Sequence, residues 1–158
     1  MTRLYAVFLA LFFASCSTTQ LIDESKPHGP PDADARRNLL VGTWYGSEKT
    51  KDGGRRLEIA ELFPDGNMRI RFRYIKESGE HSDTTELAYW GISGPIHFTI
   101  TLGWVNGDKF KPADLTKAHY YDAYEILKLD SESFRYRSFV TGNEFEIIRV
   151  EEGFNFPE

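Results

Sequence analysis

Cysteine is nearly absent: the 158 residues hold one, Cys16. No disulfide can form within the chain, so its fold must rest on a hydrophobic core. A long apolar run is missing too, since the longest, Leu4–Ala14, falls short of the roughly 20 residues a spanning helix needs. Basic residues are outnumbered, with 19 Lys and Arg against 24 Asp and Glu and a formal charge of −5. Nucleic acid is therefore no default partner, because a polyphosphate needs a basic face. The four histidines, His28, His81, His97 and His119, stand at no metal-ligand spacing. No serine sits in a strand-to-helix elbow or in a spacing with His and Asp that marks a nucleophile. The expectation is a protein with no metal, no cofactor and no enzymatic activity. What the chain has in quantity is aromatic: 12 Phe, 8 Tyr and 3 Trp, residues that favour strands and bring large buried areas. With 41% apolar content there is material for one core and one domain.

The N-terminus reads as a secretory signal over residues 1–15, with Arg3 in a short charged region followed by the apolar run. The run ends Leu11-Phe12-Phe13-Ala14-Ser15-Cys16, which resembles a bacterial lipobox. That resemblance implies that Cys16 is acylated, palmitate being one such chain, and becomes the mature N-terminus. Each buried methylene contributes about 0.8 kcal/mol, so two or three chains anchor stably. Ser17 in place of Asp resembles the pattern of lipoproteins passed to the outer membrane, implying a lipid-anchored protein facing the periplasm of a Gram-negative bacterium. Residues 16–38 contain Pro27, Pro30, Pro31, Gly29 and many charges, with few apolar side chains, and read as a disordered, flexible tether. As a coil it reaches about 25 Å.

The remaining residues, 39–158, read as an all-β domain of eight strands separated by turn signals. The segments are Val41–Lys49, Arg55–Phe63, Asn67–Lys76, Thr84–Ser93, Ile96–Val105, His119–Asp130, Glu132–Thr141 and Phe145–Glu151. Pro64-Asp65-Gly66 is the clearest turn. Alternation points Met68, Ile70, Phe72 and Tyr74 inward and Arg69, Arg71 and Arg73 outward. It likewise groups Leu57, Ile59 and Phe63, and sets Ile96, Phe98, Ile100, Leu102 and Trp104 inward against His97, Thr99 and Thr101. A meander of eight antiparallel strands leaves two long edges, and closure into an up-and-down barrel removes them.

Gly42-Thr43-Trp44 at the start of the first strand resembles the G-x-W signature of lipocalins, and Arg149 late in the eighth resembles their third conserved region. The resemblance implies a lipocalin-like barrel whose closed floor is built by Gly42, Trp44 and Arg149, with the arginine across the indole. Strand parity independently brings Arg149 to the end that holds Trp44. It also sorts short loops to the floor and longer ones to the mouth, with a helical turn expected at Pro112–Lys117.

A cup in such a barrel would use inward residues near the mouth, nominating Tyr74, Trp104, Phe110, His119 and Tyr121 for a small hydrophobic or amphipathic ligand. The same rings could instead fill a small barrel to close packing. In that case function passes to the exterior and mouth loops, as an interaction or inhibitor module for an envelope protein. The arginine stripe reads as a solvated face balanced by Glu58 and Glu61. Asp122 and Glu125 fall on opposite faces, so one of them is a lone inward acid.

Overall fold

The computed structural model describes residues 32–157. The expected signal segment, Cys16, His28 and the expected tether as far as Pro31 lie outside the described residues. A helix, α1 (Ala33–Leu40), precedes nine strands: β1 (Gly42–Lys49), β2 (Arg55–Leu62), β3 (Asn67–Ile75), β4 (His81–Ser93), β5 (Ile96–Asn106), β6 (Lys109–Pro112), β7 (Tyr121–Leu129), β8 (Ser133–Ser138) and β9 (Glu144–Val150). A short 3-10 helix, Ala118–Tyr120, leads into β7. Every pairing is antiparallel. β1 pairs with both β2 and β9, and β4 pairs with β5, so eight strands form a closed ring with β6 attached outside it to β5. The chain is a closed eight-stranded antiparallel up-and-down barrel. β6 is the one strand the alternation did not reveal. It extends the β5 hairpin through the turn at Gly107; the helical turn expected at Pro112–Lys117 is found instead just after it, as the 3-10 helix Ala118–Tyr120, because Pro112 still pairs with β5.

Trp44 marks one end. Its indole is fully buried, donates from Nε1 to the Leu40 carbonyl at 2.8 Å and meets Phe134 edge-on. Around it pack Leu40, Leu62, Met68, Trp90, Phe134 and Ile147. Helix α1 covers this floor: Arg36 donates to the Gly94 carbonyl and Arg37 to that of Pro64. These helical residues include Ala33–Asn38, which had been read as the end of the tether, so the ordered domain begins before residue 39. Counting apolar side chains missed the segment because two arginines and Leu40 do the docking. The floor turn behaves as its residues require, with Gly66 at φ 88° and the Asp65 carboxylate accepting from the Asn67 N–H.

Two strands face opposite to expectation. In β2 it is Arg56, Glu58, Ala60 and Leu62 that point into the barrel. Leu57 and Ile59 are buried on the outer wall. The C-terminal segment crosses that wall: Phe154 packs on Tyr45, its carbonyl accepts from Arg71, and Phe156 lies under Arg71 and Arg73. Since Tyr45 and Arg71 are the ladder partners of Ile59, the tail roofs a small second apolar cluster. In β5 the inward set is His97, Thr99 and Thr101, while Phe98 lies outside against Gly91, where a Cβ would come within 2.3 Å of its ring. Trp104 nevertheless faces in. Ala88 pairs with Thr101 and Leu87 with Gly103, so Leu102 is an extra residue and the bulge reverses the parity.

Candidate functional site

Above the floor the barrel encloses a cavity of about 360 Å³, within the range of small-ligand pockets. Its lower wall is apolar, from Ala60, Leu62, Met68, Ile70, Phe134 and Ile147. A middle belt carries Glu58, His97, Thr99, Tyr124 and Tyr136, and the rim is made by Arg56, Glu86, Trp104, His119, Tyr120 and Asp122. Alternation from seven strands converges these side chains, since each strand contributes every second residue.

Of the residues nominated from sequence, Trp104 and His119 line the cavity and the other three do not. Tyr74 shares the parity of Phe72 but stands one pleat higher, at the rim, and is 42% exposed. Phe110 belongs to β6, outside the ring, where it packs over Gly103. Tyr121 is outward because the 3-10 turn sets Tyr120 and Asp122 inward, and its hydroxyl donates to the Leu115 carbonyl. Asp122 is the lone inward acid of its pair, while Glu125 meets Arg137 outside. The arginine stripe is on the exterior, with Arg69 bound to Glu61 and Arg73 to Asp83. Glu58, expected to balance it, faces the lumen instead.

The middle belt is held by one charge group. Arg56 contacts Glu48 at 3.0 Å and Glu58 at 3.2 Å, and its guanidinium lies over Phe72 and Phe145. Burial pushes the Glu58 carboxyl up from its ordinary range, against the opposing pull of Arg56 and the Tyr136 hydroxyl. Burial also drives the Tyr124 and Tyr136 phenols up, so both remain neutral donors. Glu86 is raised by burial and by the nearby charge of Asp122, with the Thr101 hydroxyl offsetting part of it. Asp122 is raised by burial alone. His97, enclosed by Trp90, Tyr124, Phe134 and Tyr136, is pushed down to about 4 by burial and is uncharged at neutral pH.

At the opposite end Arg149 closes the floor, its guanidinium 4.2 Å from the centroid of the Trp44 ring. It donates to the carbonyls of Leu39, Val41 and Ser131, joining α1, its junction with β1 and the β7–β8 turn. Gly42 has φ 131°, and a Cβ there would fall 2.3 Å from an Arg149 nitrogen.

No protein-family model matches the chain, and no curated protein matches it. Among solved structures it is similar to a lipocalin-like protein from Bacteroides uniformis, at 15% identity and a TM-score of 0.45, over 71% of this chain and 99% of that one. The barrel assignment rests on the strand pairing itself.

Sequence reasoning missed Arg56, Glu58, Glu86, His97, Tyr124 and Tyr136. The alternation of His97, Thr99 and Thr101 was visible, and Glu58 stood opposite the arginine stripe, but both were assigned to the solvent face. No group of three or more metal-ligating side chains is brought together among the described residues.

Proposed function

We propose that this chain is a binding protein of the cell envelope that holds a small amphipathic ligand in the barrel cup. The cavity of about 360 Å³, apolar below and polar at its rim, is the observation that carries this reading. A packed interior was the condition for placing function on the barrel exterior alone, and that volume speaks against it. In this reading the signal segment exports the chain, acylated Cys16 anchors it to the outer membrane, and residues 17–31 let the cup stand off the bilayer on its periplasmic side. The role is non-enzymatic: the cup sequesters or passes on its ligand. Native mass spectrometry of protein purified from its own membranes tests this. The expected spectrum contains a bound small molecule that is released on unfolding, in addition to an acylated N-terminal mass. A spectrum of ligand-free protein alone would remove the cup reading, and an unmodified Cys16 would remove the anchor.

A further inference from the structure

The guanidinium in the cup is spent on carboxylates, whereas two further carboxylates have no cation; Glu86 accepts from Thr101 and Trp104 only as neutral donors. Arg56, the one lysine or arginine among the described residues that line the cavity, is engaged by Glu48 and Glu58. The Tyr136 hydroxyl is directed to Glu58 and the Thr101 hydroxyl to Glu86, at 2.7 Å. Glu86 on β4 and Asp122 on β7 flank β5 from either side, and neither has a basic partner among the described residues. A second feature is independent of these carboxylates. His97 is 5% exposed, and its Nδ1 faces the Gly91 carbonyl at 3.2 Å. A carbonyl only accepts, so Nδ1 carries the proton and Nε2 presents a lone pair. That nitrogen has no hydrogen-bond partner among the described residues, and His97 lines the cavity. His97 stands two residues below Thr99, the ladder partner of Asp122, about 7 Å at the strand rise.

The geometry points to an organic cation as the ligand: a flat apolar body bearing a protonated amine between Glu86 and Asp122, with a further hydrogen-bond donor directed at His97 Nε2. This inference rests on the cup reading and names the chemistry of its occupant. An anion would enter against two carboxylates with the cavity's guanidinium already engaged. A purely apolar body would leave Asp122 and His97 Nε2 without partners and Glu86 with no cation, which costs free energy at each. An ammonium satisfies the carboxylates with charge-assisted bonds. The rim rings suit it: Trp104 and Tyr120 meet edge to face at 5.6 Å, and aromatic faces attract a cation or a planar body. The charged and titratable groups facing the amine position are Arg56 and Glu58 on β2, Glu86 on β4, His97 on β5, His119 and Tyr120 in the 3-10 turn, Asp122 and Tyr124 on β7, and Tyr136 on β8.

Three probes of one shape decide it by isothermal titration calorimetry on the full chain at pH 7: tyramine, its neutral alcohol tyrosol, and 3-(4-hydroxyphenyl)propionate. Tyramine is expected to bind at least about tenfold more tightly than tyrosol, and the propionate more weakly than either. In Glu86→Gln and Asp122→Asn, shape-conserving changes, the tyramine-to-tyrosol ratio should fall toward one. In His97→Phe the advantage of tyramine over phenethylamine, which lacks the phenol, should vanish. Equal binding of tyramine and tyrosol, or preference for the propionate, overturns the cation while leaving a ligand cup in place. Failure of all the probes overturns it too, and the native mass measurement then judges the cup separately.

Discussion

Trp44 and Arg149 show how much of a barrel end two side chains can organise. The indole fills the floor, the guanidinium lies flat on it and collects three backbone carbonyls, and Gly42 leaves the space the arginine occupies. Trp44→Ala would open a cavity beneath six core side chains and remove the ring on which Arg149 rests. A loss of roughly 3–5 kcal/mol is expected, measured by urea denaturation. A change near zero would mean that the floor is held by other contacts. His97 makes a second residue-scale prediction through pH. Its folded pKa of about 4 lies below the ordinary histidine value, so between the two the unfolded chain takes up a proton that the folded one refuses. The stability this histidine permits is full above about pH 6.5 and is lost as pH falls toward 4. Glu58, Glu86 and Asp122 act oppositely, since raised carboxyls are protonated first in the folded state and regain stability on acidification. Replacing His97 with Phe removes only the first effect. Between pH 7 and 4.5 the variant should lose less stability than the parent, by roughly 2–3 kcal/mol, read from urea midpoints. Parallel pH curves for the two proteins would show that His97 does not titrate differently on folding.

Among the elements, β2 and β5 show why alternation alone does not settle facing. Each has a clean period of two, which says which residues share a face but not which face is covered. In β2 both faces are buried, one by the lumen and one by the C-terminal segment, so Leu57 and Ile59 find cover outside the barrel. In β5 the bulge at Leu102 reverses parity between Thr101 and Trp104, and one strand serves a polar belt below and an aromatic rim above. The tail's contribution is open to measurement. Deleting residues 152–158 removes Phe154 from Tyr45 and Phe156 from the arginines, and bares Leu57 and Ile59. Stability should fall by roughly 2–4 kcal/mol, given 1.5–3 kcal/mol for each fully buried aliphatic side chain. Near-ultraviolet circular dichroism should retain the signal of the lumen aromatics, because the tail touches only the outer wall. An unchanged unfolding midpoint would show that the tail is not the cover.

At the scale of the whole molecule, the acidic balance of the chain is partly concentrated inside it. Among the described residues three carboxylates and one guanidinium line a cavity that an ordinary core would fill with aliphatic side chains. Such a lumen is expensive when empty, since Glu86 and Asp122 are desolvated beside one another, and this cost is what a cationic guest would relieve. Barrel closure creates the arrangement: no local stretch brings Glu86, His97 and Asp122 to a common space.

From residues alone the chain could be read as eight strands, their turns, antiparallel order, closure, and the meeting of Trp44 with Arg149 at one end. These follow from local periodicity, turn chemistry and the parity of an up-and-down path, none of which needs a distant contact to be seen. The cup's contents followed from tertiary structure only. A one-residue bulge and a tail folded back over the outer wall decided which side of β2 and β5 faces inward, and a face with polar residues can be inside when closure leaves a cavity to line. Tyr74, Phe110 and Tyr121 were aromatic and near the mouth, yet none lines the cavity: Tyr74 stands above it at the rim and the side chains of the other two lie outside the ring. Of the polar residues that line the cup, Glu58, His97, Thr99 and Thr101 were assigned to solvent because alternation measures sharing of a face, while burial depends on what the rest of the chain lays against it.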